Sequence, residues 1–214
     1  MTPRPTRPRE DPAYTAEQFR TGAVLLAAGR SSRFDGGNKL LTPVDGVPLV
    51  RHAATTLLEA AVDDTVVVLG HDAPAVREAL SGLGLSFRVN ADYADGQSTS
   101  VRAGVDAAIQ RDWDGTVFAL GDMPFIDPAS VDALLEWRLR GSEPIVAAAY
   151  AGERGNPVLF DASRYDALAG VTGDTGGRRL FDDCADLAIV ETGDPGVVRD
   201  VDVRSDLSGV SRGR

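Results

Sequence analysis

The chain has 214 residues, 43% hydrophobic and 25% charged, enough to fill one substantial core and too few for two full domains. A formal net charge of −10 and an isoelectric point near 4.6 exclude a general grip on nucleic-acid phosphates and leave a small molecule as the expected partner. No apolar run reaches the roughly 18 residues of a membrane span, and Met1–Arg20 lacks the apolar centre of a signal peptide, so no membrane contact is expected and the expected location is cytoplasmic.

In chain order, residues 1–20 read as a flexible leader, 21–206 as a single domain and 207–214 as a tail that frays. Ala23–Ala28 is a short apolar run before Gly29, the pattern of a strand buried on both faces. Val50, Ala53, Ala54, Leu57, Leu58 and Ala61 follow a helical period. Thr65–Leu69 reads as a second buried strand, Ala73–Leu80 as a short helix and Leu85–Asn90 as a third strand. Gln97–Gln110 predicts a helix with Ser98 as N-cap and Val101, Val105, Ala108 and Ile109 turned inward. Val117–Leu120 is a fourth strand, and Asp127–Arg140 a helix with Val131, Leu134, Leu135 and Leu139 on one side. This alternation implies an α/β, Rossmann-like fold, a mostly parallel twisted sheet with helices on both faces. After Pro144 come a strand at 145–150, a turn at 152–157, a strand at 158–160 and a Gly-rich stretch at 170–177, read as an acceptor-side extension of the same domain. Leu187–Val190 and Val197–Val203 are expected to finish the sheet.

Cys184 has no partner for an intramolecular disulfide and reads as a buried, inert thiol; with only His52 and His71 beside it, no structural zinc site can be assembled. Lys39 is the sole lysine. An acidic, lysine-poor surface suits a salt-rich cytoplasm, and a GC-rich genome that favours arginine codons explains it equally well.

Open α/β sheets bind ligands beyond the carboxyl ends of their strands, which singles out the loop Gly29–Lys39. Gly29 allows a tight turn with exposed amides, and Arg30, Arg33 and Lys39 can neutralise phosphate oxygens. A solvated surface loop is the alternative, but a chain otherwise without lysine keeps its one lysine here. Lys39 precedes Leu40 rather than Ser or Thr, which excludes the P-loop, and Gly29-Arg30-Ser31-Ser32 excludes the G-x-G-x-x-G fingerprint. Asp122 ends an apolar strand and puts a hard oxygen ligand at the same edge, where Mg²⁺ bridging phosphates would sit, or else it caps the turn before Pro124. His71, after the strand that ends before Gly70, could serve as a ligand but reads first as an exposed loop imidazole, and His52 reads as a surface residue.

Leu26-Ala27-Ala28-Gly29-Arg30-Ser31-Ser32-Arg33-Phe34 followed by Asn38-Lys39-Leu40-Leu41 resembles a specific signature, L-A-A-G-x-S-x-R-F/M-G…K-L-L. It belongs to the molybdenum cofactor cytidylyltransferase-like proteins of the MobA-like NTP transferase superfamily. Asn90-Ala91-Asp92-Tyr93-Ala94-Asp95-Gly96-Gln97-Ser98-Thr99-Ser100 resembles their N-x-x-[WY]-x-x-G-[QM]-x-x-S segment, and Leu120-Gly121-Asp122-Met123-Pro124 their L-G-D-M-P. Arg154-Gly155-Asn156-Pro157 and Gly173-Asp174-x-Gly176 are similar to later motifs, so the likeness runs over roughly 23–206. Asp35 and Gly37 pad the first loop, and Asn156 stands where many relatives carry His.

The resemblance implies a nucleotide-diphospho-sugar transferase-like fold and Mg²⁺-dependent transfer of CMP from CTP to a phosphorylated acceptor, molybdopterin first, with contact to a molybdoenzyme or its chaperone. It implies catalytic roles for Arg33, Lys39 and Asp122. Nucleotide contacts would come from Leu26, Ala27, Ala28, Gly29, Arg30, Ser31, Ser32, Asn90, Gly96, Gln97, Ser98 and Ser100, and acceptor contacts from Arg154, Gly155, Asn156, Asp174 and Arg178. Asp200 and Asp202 resemble the family's closing D-x-D; strand alternation would put them on one side, with Asp202 joining Asp122 as a metal ligand, or both could be capping residues. Within the family it resembles, Leu-Ala-Ala-Gly in place of Leu-Ala-Gly-Gly goes with CTP over GTP, so Ala28 as the second Ala implies CTP. Transfer from GTP, a sugar phosphate, alditol phosphate or phospholactate acceptor, and a non-catalytic NTP-binding or cofactor-delivery module are the alternatives.

Overall fold

The computed structural model describes residues 19–31, 34, 37–173, 187–203 and 206. The expected leader apart from its last two residues, the expected tail, Ser32, Arg33, Asp174, Arg178 and Cys184 lie outside the described residues.

Nine strands and five helices follow one another as β1 (Thr21–Ala27), β2 (Pro43–Val44), β3 (Val47–Pro48), α1 (Leu49–Glu59), β4 (Asp64–Leu69), α2 (Ala73–Ala79), β5 (Ser86–Val89), α3 (Gln97–Ile109), β6 (Gly115–Leu120), α4 (Pro128–Arg140), β7 (Ile145–Tyr150), β8 (Glu153–Asp161), α5 (Tyr165–Ala169) and β9 (Leu187–Glu191) among the described residues. The main sheet is ordered β5-β4-β1-β6-β8-β7-β9. All its pairings are parallel except the two that β8 makes with β6 and β7. It is the mostly parallel α/β sheet that the alternation predicts.

The strands are apolar along their whole length because both faces are covered. Ala23, Leu25 and Ala27 of β1 pack into the core beneath α1, α2 and α4, whereas Val24 packs with Val101 and Val105 of α3 and Leu168 of α5. The order of connections then fixes where a ligand can enter. From β1 the chain steps outward through β4 to β5, and α3 carries it back across β1 to β6, so β1 and β6 flank the topological switch point and open a crevice beyond their carboxyl ends.

Several local expectations fail for identifiable reasons. Gly96, not Ser98, is the N-cap of α3: the backbone there has φ 113 and ψ 165, a region open only to glycine, and Ser98 is 1% exposed inside the first turn. Ile109, at the last turn of α3, is 53% exposed. In α4, Leu139 is only half-buried, while Trp137 and Arg138 are buried, the latter because its guanidinium pairs with Asp161. The turn placed at 152–157 is shorter: Ala151 and Gly152 both have positive φ, the geometry of a tight hairpin, and β8 already begins at Glu153. No strand forms at 197–203. A 3₁₀ turn over Pro195–Val198, capped by Asp194, breaks the extended run, and residues 199–203 continue outside the sheet. Among the described residues no helix is long and apolar enough to cross a membrane.

Candidate functional site

A cavity of ≈ 430 Å³ opens at the switch point. Its walls come from the end of β1 and the loop after it (Leu26, Ala28, Gly29, Arg30, Ser31), from Lys39 and Leu40, from Tyr93 to Gln97 with Ser100, and from Leu120 and Asp122 after β6.

The segment carrying Lys39 is shaped by side-chain caps. Asn38 Oδ1 accepts the Leu40 N–H at 3.1 Å, and Ser31 Oγ accepts the Lys39 N–H at 3.1 Å, which ties the loop back onto its own start. Asn38 Nδ2 also donates to Asp72 Oδ2 at 3.4 Å, linking this loop to the one after β4. Leu40 is buried as an anchor, and Lys39 is left to project along the sheet edge. The positive φ in the loop after β1 falls at Ser31 and Gly37 rather than at Gly29, above which a methyl group would meet nothing but open space.

The Lys39 ammonium lies 2.7 Å from Asp122 Oδ2 and 3.1 Å from Asp202 Oδ1. Partial burial works against its charge, but Asp122 and Asp202 outweigh it and hold its pKa above the ordinary lysine value. Asp200 belongs to the same cluster: loss of hydration first, then repulsion from Asp202 and Asp122, raises its carboxyl, with Lys39 opposing. Asp206 accepts the N–H groups of Asp202 and Val203 at 2.9 and 2.8 Å, which fixes the segment that presents Asp202. The Val201 N–H donates to the Asp122 carbonyl at 3.0 Å, so the segment docks directly on the end of β6. Asp122 Oδ1 is buried with no hydrogen-bond partner among the described residues.

The opposite wall is built on Asn90, which is 6% exposed. Its amide reaches Thr99 Oγ1 and Ser100 Oγ, and its Oδ1 accepts the Asp92 N–H, so the Tyr93–Gln97 stretch is pinned to the first turn of α3. His71 stands beside this wall, 3.3 Å from Asp72 and with its ring centroid 6.0 Å from that of Tyr93.

Residues 23–188 match the family model described as the MobA-like NTP transferase domain. The chain belongs to that family. Nicotine blue oxidoreductase of Paenarthrobacter nicotinovorans is 34% identical over 165 residues, 74% of this chain and 79% of that protein. Among solved structures, a nucleotidyl transferase from Methanothermobacter thermautotroptrophicus superposes with a TM-score of 0.76 at 29% identity, covering 87% of this chain and 94% of the other. Rv0371C of Mycobacterium tuberculosis H37Rv in complex with manganese superposes with a TM-score of 0.74 at 27% identity, covering 89% and 100%. The chain therefore has the nucleotidyltransferase fold and belongs to a nucleotidyltransferase family.

For a MobA-like domain the residues read from sequence distribute unevenly. Leu26, Ala28, Gly29, Arg30, Ser31, Lys39, Gly96, Gln97, Ser100 and Asp122 all face the one cavity. Ala27 does not: alternation along β1 turns its methyl into the core under α1, where it is 1% exposed. Ser98 and Asn90 lie behind the wall rather than on it. Tyr93, Ala94, Leu40 and Leu120 line the cavity without having been singled out, although the aromatic of the N-x-x-[WY] segment was a signal for Tyr93. Arg154, Gly155 and Asn156 are on β8, not in a turn, and do not line this cavity. Because β8 runs antiparallel to β6, with Phe118 opposite Val158, its first residues lie at the same carboxyl edge as Asp122. Asp200 and Asp202 reach the cluster from an extended segment outside the sheet instead of from a strand. His52 is half-buried, its Nε2 2.8 Å from the Val44 carbonyl oxygen.

Proposed function

We propose that this chain transfers CMP from CTP to molybdopterin, forming molybdopterin cytosine dinucleotide and pyrophosphate. The observation that carries the reading is the Lys39 ammonium set between Asp122 and Asp202 on the rim of the switch-point cavity. An acceptor phosphate oxygen attacks the α-phosphorus, the bond to the bridging oxygen of the β-phosphate breaks, and pyrophosphate leaves with that electron pair. A phosphate monoester has a second pKa near ~6, so the nucleophile arrives ionised and needs no general base. Catalysis then reduces to positioning and charge neutralisation.

Arg30, Arg33 and Lys39 would neutralise the triphosphate, and the amides of the loop after β1 would hold it. The buried, unpartnered Asp122 Oδ1 suits a hard cation, and Asp202, on the other side of the same ammonium, would be the second oxygen donor. Among the described residues no group of three or more His, Cys, Asp or Glu could hold a metal ion by itself. Bound Mg²⁺ would neutralise phosphate charge. Gly96 and Gln97 would face the base, and Arg154, Asn156, Asp174 and Arg178 the acceptor. Ala28, 4% exposed and among the residues that line the cavity, puts a methyl instead of a hydrogen at the end of β1, which supports CTP by likeness to the family, although one methyl separates substrates by only about 1–3 kcal/mol.

The similarity to a protein called nicotine blue oxidoreductase supports a second reading, a redox activity. Pyrophosphate release with each NTP and Mg²⁺ against molybdopterin, sugar phosphates and phospholactate, run beside an assay for nicotine blue turnover, tests both. Pyrophosphate release dependent on CTP and molybdopterin is expected. No pyrophosphate release with any of the NTPs, together with turnover of nicotine blue, overturns the transferase reading.

A further inference from the structure

Asn90 has an orientation that its surroundings settle. The Asp92 backbone N–H, which can only donate, lies 3.0 Å from Asn90 Oδ1. The other end of the amide is therefore Nδ2, placed 2.8 Å from Thr99 Oγ1 and 3.0 Å from Ser100 Oγ. An amide NH₂ can only donate, so both hydroxyls accept from it and each keeps its own hydrogen for another acceptor. Thr99 has protein acceptors for that hydrogen, the carbonyl oxygens of Gly96 at 2.8 Å and Asp92 at 3.0 Å. Ser100 has none among the described residues, where its hydroxyl makes only the bond from Asn90, and Ser100, 5% exposed, is one of the residues that line the cavity.

We propose that Asn90 is a positioning residue that fixes the polarity of Ser100, holding its hydroxyl as a hydrogen-bond donor toward the nucleobase. The hydroxyl then meets an acceptor of the base, which cytosine supplies with its O2 and N3. Asn90 itself touches no nucleotide. The inference rests on the NTP reading above and adds to it how recognition of the base is set from behind the wall.

The test compares wild type, Asn90→Asp, Ser100→Ala and the double variant by calorimetric Kd for CTP, by KM and kcat for pyrophosphate release, and by Tm. Asn90→Asp keeps the shape but replaces the donor with an acceptor, which draws the Ser100 hydrogen away from the cavity. Each single variant is expected to raise Kd and KM for CTP roughly tenfold with kcat within about twofold. The double variant is expected to be no worse than either, because both changes remove one hydrogen bond. Where Asn90→Asp does not fold, Asn90→Ala, which frees the Ser100 hydroxyl instead of reversing it, is expected to raise KM by a smaller factor, about threefold, and to add nothing to Ser100→Ala. Unchanged KM in a folded Asn90 variant, or losses that multiply in the double variant, overturns the proposal. Wild-type protein that binds no NTP overturns the transferase reading instead, so the two failures are distinguishable.

Discussion

Replacing Lys39 by Met keeps most of the side chain's bulk and removes only the charge, which isolates what the ammonium does between its two carboxylates. At 2.7 Å and an effective dielectric of about 20, the gross attraction to Asp122 is ~6 kcal/mol, of which desolvation takes back the larger part. The side chains of Lys39 and Asp122 are 14% and 20% exposed, so this pair falls between a surface and a buried one. Asp202 is 45% exposed, and its contact adds at most about 1 kcal/mol. Together these give a destabilisation of about 2–3 kcal/mol, a fall in Tm of roughly 5–10 °C for a chain of this size. If the ammonium also serves the triphosphate, kcat/KM for pyrophosphate release falls by about 10²–10³. With the internal cation gone, Mn²⁺ alone should raise the Tm of Lys39→Met more than that of wild type, because the carboxylates no longer have an ammonium to displace. Differential scanning fluorimetry across Mn²⁺ concentrations, together with the pyrophosphate assay, reads all three effects. A folded variant with wild-type turnover and no added response to Mn²⁺ would refute the reasoning.

Three further outcomes test the frame around the site. Gly155→Ala puts a methyl 1.8 Å from the Val197 carbonyl oxygen, a backbone atom with no room to yield, so chemical denaturation should show a loss of about 3 kcal/mol or more, and an equally stable variant would contradict the packing. Asp161 resists burial, but hydrogen bonds from Arg138 and Ser163 hold its carboxyl below the ordinary value. Its stabilisation is therefore present above pH ~4 and lost as pH falls through the lowered pKa, and Arg138→Leu should flatten that acid limb in pH-dependent unfolding. Burial pushes Tyr165 up to about 12, helped by Asp161 and Asp114 and opposed by the Thr116 hydroxyl. Stability is then intact below the free phenol pKa near ~10 and declines as pH rises through the folded value, and Tyr165→Phe should abolish that alkaline limb.

What could be read directly from sequence follows from how strongly each residue is constrained. β1, β4, β6 and β7 were legible because helices cover both faces and every position must be apolar. Lys39 was legible because a chain with one lysine places it beside a glycine-rich turn, and Asp122 because an acid ends an apolar strand. Residues 197–203 misled because Val-x-x-x-Val-x-Val alternates like a strand, while Asp194 and Pro195 start a 3₁₀ turn that the alternation does not register. Asn90 and Ser98 carried the right residue types in the right segment, yet their polar atoms or backbone are directed into the protein, which depends on tertiary placement that no spacing encodes. Ile109 was placed inward by period alone, and the helix outruns the surface that would cover it.

The assembly of the carboxylate pair is explained by two close backbone crossings rather than by strand alternation. A methyl on Gly196 would lie 2.2 Å from the Phe125 carbonyl oxygen, and one on Gly155 would meet Val197, so the 195–198 turn sits with bare backbone against both the loop after β6 and the start of β8. Asp194 locks it there, accepting the Asp127 N–H at 2.8 Å and the Ser130 hydroxyl at 2.9 Å while capping its own turn through Gly196. From that anchor the chain has only a few residues before Val201 bonds to the Asp122 carbonyl, and Asp202 is delivered to Lys39 as the next residue. Any side chain at either glycine should therefore weaken the Lys39–Asp202 contact without altering a single charged residue. This is why Arg-Gly-Asn-Pro, which reads as an acceptor motif, has at Gly155 a residue whose first demand is steric.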